Sequence, residues 1–192
     1  MKTVETADNA KQPLSILRIN FDELFRRHLC RHSEFGINVL HIVSVWGVYC
    51  SLLAIEFRFL QWLLPAAEVW QLIAMLLTSL LPWLAVVAVN VPVPVLLATA
   101  SMGFALSLPA ASQPFPAWVH LVLLPLWHQL QLVSHRFYTE HRDMSEFATR
   151  YRKGWFLSVL LAVYELPILT QFFLTCVRRL VHRRQIAAER LG

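Results

Sequence analysis

The chain has 192 residues, 57% hydrophobic and 15% charged, with a formal net charge of +5. Average soluble domains carry about 25% charged residues, and from Val69 to His135 there is no Asp, Glu, Lys or Arg. A bilayer crossing takes about 20 apolar residues, so the composition excludes an ordinary soluble domain and predicts an all-α, polytopic membrane helical bundle. The basic residues flank apolar stretches, which ties them to membrane orientation rather than to nucleic acid.

Residues 1–15 read as a flexible tail, and residues 1–20 lack the apolar centre of a cleaved signal. Residues 16–34 follow as an amphipathic surface helix, with apolar side chains at 16, 17, 21, 24, 25 and 29. The expected transmembrane bundle covers 35–177. Its first span is 35–55, ended by Glu56 and Arg58, and residues 59–67 form an interfacial connection with Trp62 as anchor and Pro65 as breaker. The second span is 69–89. Two prolines in 89–95 make a turn. The third span, 95–110, is short; 112–116 is the next turn, and the fourth span is 116–134.

Residues 136–153 are polar and arginine-rich, 154–177 are apolar, and 178–192 form a basic tail. The arginines of 18–31, 136–153 and 178–184 all belong on one side by the positive-inside rule. Four spans separate the first two groups, which agrees, but one full span between the second and third does not. Glu165 and Pro167 sit near the middle of that last segment. The sequence therefore allows five spans, or four with a re-entrant last segment. Cys30, Cys50 and Cys176 form no close pair and no CxxC, so they suggest neither a disulfide framework nor a zinc site. A bacterial inner membrane or the endoplasmic reticulum suits such a chain.

Eight histidines stand at 28, 32, 41, 120, 128, 135, 141 and 182. On a helix, His128 and His135 differ by about 20° in direction, His120 lies within about 80° of both, and Gln131 shares their face. His28 and His32 are one turn apart. A break in SEFG, residues 33 to 36, brings His32 toward His41, with Asn38 one turn before it. These positions outline a metal site of His32, His41, His128 and His135 between the first and fourth spans, since neutral imidazole suits iron, zinc and copper. A lone histidine at a membrane interface usually anchors or bridges helices, and His120, His141 and His182 are read that way. Trp46, Trp118 and Trp127 read as belt and packing residues. Glu165 either pairs with a basic group or acts as a ligand or as the carboxylate that fixes a histidine tautomer; Glu140 and Asp143 are loop candidates for the same role.

HLCRH, residues 28 to 32, has the form of the first box of the fatty acid hydroxylases and desaturases, but their HxxHH boxes are missing. The pair H32-SEFGI-N38-VL-H41 and Q131-LVS-H135 resembles the 2-hydroxy fatty acid dioxygenase family, typified by the yeast enzyme of phytosphingosine breakdown. Ser134 stands where that family has glycine. The resemblance implies an Fe(2+) cofactor and a fatty-acid-like substrate. It makes His32, His41 and His135 ligands or catalytic groups, with Asn38 and Gln131 in support. Arg136 at the polar boundary is then placed to pair with the substrate carboxylate. Two other classes stay open: a b-type haem protein with paired axial histidines, and a non-catalytic assembly or transport protein.

Overall fold

The computed structural model describes residues 15–32, 34–137 and 154–189, with side chains to residue 186. The described residues form six helices and no strand: α1 (Phe21–Arg31), α2 (Phe35–Leu63), α3 (Val69–Ala88), α4 (Val93–Ser112), α5 (Ala117–Phe137) and α6 (Trp155–Glu189). Four of them, α2, α3, α4 and α6, are long and apolar enough to cross a membrane, as in a multi-pass membrane protein.

The helix expected over 16–34 starts later than its apolar pattern suggests, at Phe21. Residues 15–18 form a turn, and Asn20 caps α1 by accepting from the Glu23 N–H at 3.1 Å. Glu56 and Arg58 do not end the first span; α2 runs on to Leu63. Arg58 is held because its guanidinium donates to Gln61 Oε1 on its own helix and to the carbonyls of Gln113 and Phe115 in the connection between α4 and α5. The connection to α3 is correspondingly short. Pro92 and Pro94 open α4 rather than extending the turn, since proline suits the start of a helix. The third span is thus a full 20 residues, not a short one.

Pro167 does not break the last segment. A proline there cannot bond the carbonyl of Val163, and the indole N–H of Trp83 donates to that carbonyl at 3.1 Å instead. The helix therefore continues unbroken into the basic segment.

The seam that positions the site runs between α2 and α5, which lie antiparallel. His41 meets His135 at one end, Gly47 meets Trp127 midway, and Arg58 meets Phe115 at the other. Gly47 is required at the middle contact: a Cβ there would fall 2.2–2.7 Å from ring atoms of Trp127. Leu53, Ala54 and Phe57 of α2 pack with Leu72, Leu76 and Leu80 of α3 and Ala110 of α4. Beneath α1, Phe21 and Leu24 pack with Val87, Val91, Val95, Leu160 and Tyr164. Asn90 and the Tyr164 hydroxyl bind the backbone of Ile16 and Ile19 and tie the start of α1 to the turn between α3 and α4.

A candidate metal centre

The site forms at the corner between α1 and α2. His28 and His32 are one helical turn apart, and their rings stack at 4.5 Å with a 21° interplanar angle. Asn38, fully buried one turn into α2, ties the corner together. Its amide donates to the carbonyls of His32 and Glu34, both at 2.8 Å, and its Oδ1 accepts from His28 Nε2 at 2.6 Å. One amide thereby joins the end of α1 to the start of α2 and orients the His28 ring. His41 follows Asn38 by one turn and is 2% exposed.

The third element is the last turn of α5, which carries His135. His32 Nε2 and His135 Nε2 lie 3.4 Å apart. Ring centroids are separated by 4.6 Å for His32–His41, 4.9 Å for His32–His135 and 5.1 Å for His41–His135. One ligand-capable atom from each of these histidines lies within 4.8 Å of the others. Ligating nitrogens about 2.0–2.1 Å from one ion lie closer together than that limit, and the His32–His135 pair is already 3.4 Å apart.

The Nδ1 atoms of two of these rings face acceptors. His32 Nδ1 is 3.3 Å from the carbonyl of His28, and His41 Nδ1 is 3.5 Å from Glu165 Oε1. Gln131 donates to the same carboxylate oxygen and holds it against His41. The Gln131 amide nitrogen also lies 3.4 Å from His41 Nδ1. For His32, a proton on Nδ1 leaves the Nε2 lone pair toward His135, the arrangement that carbonyls impose on metal-bound histidines. His41 Nε2 is buried and has no hydrogen-bond partner among the described residues. An imidazole nitrogen in that state fits a cation.

Burial lowers His28 from 6.5 to about 4, with the hydrogen bond to Asn38 acting in the opposite direction. Burial, and next the adjacent His28, lowers His32 to about 2. Both rings are held neutral, the form that ligates metal.

Comparisons with protein-family models, curated proteins and solved structures return no match. The case for the site therefore rests on its geometry.

Of the residues singled out from the sequence, His32, His41 and His135 come together, and Asn38, Gln131 and Glu165 hold them. His128 does not join. It is exposed on α5, because the seven residues separating it from His135 amount to about 10 Å along the axis although the two share a direction. Arg136 is exposed beside His135. His120 lies 1% exposed near Arg58, at the opposite end of α5. Glu140, His141 and Asp143 fall outside the described residues. His28 was not chosen as a site residue from the sequence, though its one-turn spacing from His32 was the available signal.

Proposed function

We propose that this chain is a membrane-embedded, iron(II)-dependent oxygenase acting on a lipid acid, with a 2-hydroxy fatty acid as substrate class. The observation that carries this reading is the convergence of His32, His41 and His135 at the end of an apolar helical bundle. Three imidazoles make a set that suits a first-row metal and leaves positions for exogenous ligands. The rings pack directly on one another, which favours a single ion over a porphyrin that would have to part them. The motif resemblance favours iron.

Bound there, iron(II) supplies Lewis acidity and electron transfer toward dioxygen and a hydroxy-carboxylate. The residues of the chain do the positioning. Asn38 sets the α1–α2 corner, Glu165 and Gln131 hold the His41 ring, and Arg136 offers a cation to the substrate carboxylate. The acyl chain lies against the apolar helices, where it is removed from water. The reaction balances as one 2-hydroxy acid plus one dioxygen giving carbon dioxide, water and the acid one carbon shorter. The bond between the carboxyl and hydroxyl-bearing carbons breaks, and dioxygen takes four electrons.

The test uses the purified chain, loaded with iron(II) under reducing conditions and given 2-hydroxypalmitate labelled in its carboxyl group. Labelled carbon dioxide released in step with oxygen uptake, and lost in His135→Ala, is the expected result. Iron-replete protein that releases none would end the proposal.

A further inference from the structure

We propose that α6 lies along the membrane face that carries the histidines, that α5 makes the fourth crossing, and that the basic end of α6 docks on anionic phospholipid headgroups. Length and composition select α6 as a span and leave α5 out. The contacts of α6 place it otherwise. Near its start, Leu157 and Leu160 pack with Val87, Val91 and Val95, where α3 ends and α4 begins. Farther along, Glu165 meets His41, and Leu166 and Leu169 pack with Ile42 and Val45. Phe172 then meets His28 and Phe35, at the start of α2. From residue 157 to residue 172 a helix advances about 22 Å, yet its partners go no farther than the midpoints of α2 and α4, where Tyr49 meets Ala162 and Met102 meets Thr170. A crossing helix would reach the far halves over that distance.

The α5 helix, by contrast, follows α2 from His41–His135 through Gly47–Trp127, and the residues just before it meet Arg58 through Phe115. Whatever depth α2 crosses, α5 crosses with it. Its 21 residues span about 31 Å, the thickness of a bilayer core. With α2 to α5 as the crossings, the arginines of 18–31, Arg136 and those of 178–184 share one face. That removes the conflict a spanning α6 creates with the positive-inside rule.

The end of α6 has the makeup of an interfacial helix. Every residue from 177 to 186 is exposed. Val177, Leu180 and Val181, 50–59% exposed, fall on one side, and Arg178, Arg179, His182 and Arg183 fall on the other. Arg184 lies on the apolar side, where a long side chain bends back to the headgroups. The helix thus offers an apolar strip to the acyl boundary and guanidinium groups to phosphate. Each arginine near an anionic surface favours binding by about fivefold.

Two measurements on the full chain test this. Single cysteines at Leu17→Cys, Ser112→Cys and Gln185→Cys, with the native cysteines replaced, are labelled in sealed vesicles by an impermeant maleimide. Positions 17 and 185 are expected to label from one side and 112 from the other. Labelling of 185 together with 112 would overturn the topology. An environment-sensitive dye on Val181→Cys is then compared in phosphatidylcholine nanodiscs with and without phosphatidylglycerol. A blue shift that needs phosphatidylglycerol, and is lost in Arg178→Glu/Arg179→Glu/Arg183→Glu, is expected. Identical emission in the two lipids would overturn the headgroup assignment.

Discussion

His41 and Glu165 face each other across α2 and α6, with Nδ1 3.5 Å from the carboxylate oxygen. This contact orients the His41 ring, whose Nε2 is buried and has no hydrogen-bond partner among the described residues. The carboxylate is in turn held by Gln131 from α5, so three helices fix one imidazole. Replacing a carboxylate that supports a metal-bound histidine usually lowers metal affinity about 10- to 100-fold. Glu165→Gln is expected to fall in that range while the protein stays folded, as read by metal titration and thermal unfolding in detergent.

Asn38 makes a different kind of contribution. Asn38→Ala removes a buried amide and leaves the His28 ring nitrogen and two carbonyls without it. A buried polar group that loses its partner costs about 1–3 kcal/mol. The expected outcome is a loss of that size in unfolding free energy together with weakened metal binding, because the corner that aims His32 at His41 loosens.

The seam between α2 and α5 sets the distance from His41 to His135. Gly47→Ala places a methyl where Trp127 now lies, and overpacking of this kind costs about 1–3 kcal/mol. Both stability and metal occupancy should drop. Adding Trp127→Leu should recover part of each, and a double-mutant cycle would show the coupling.

The lowered histidines give the metal-free fold a pH dependence of known sign. In the unfolded chain His28 titrates at its ordinary 6.5, whereas burial holds it at about 4 in the fold. The unfolded state therefore takes up protons first. Stability is fully present above 6.5 and is lost as pH falls from there toward about 4. His32, lowered to about 2, continues the loss below that. The slope is about 1.4 kcal/mol per pH unit for each group. Denaturant midpoints measured across this range should fall with pH, and His28→Gln/His32→Gln should flatten the curve. A flat curve for the native chain would contradict the burial of these two rings.

Much of the fold was legible because helix spacing and prolines speak directly. The uncharged run from Val69 to His135 encodes α3, α4 and most of α5, and the Pro92 and Pro94 region separates two of them. The end of α2 was not legible. Arg58 reads as a terminus until the carbonyls of Gln113 and Phe115, far along the chain, are seen to accept from it. The continuity of α6 was hidden for the same reason, since Trp83 answers for the carbonyl that Pro167 strands. At the site, direction around a helix singled out His135 and His128 together. It carries no information about depth, which is what separates them. His28 was visible only as a spacing, and its contact with Asn38 depends on how the chain turns between α1 and α2.

Metal binding by variants of the purified chain tests the central claim most directly. The native protein and His128→Ala are expected to bind one iron(II) per chain under reducing conditions. His32→Ala, His41→Ala and His135→Ala, each confirmed folded by circular dichroism, are expected to bind it far more weakly. Native protein that takes up no metal, or a loss of binding that follows His128 rather than the other three, would contradict the account.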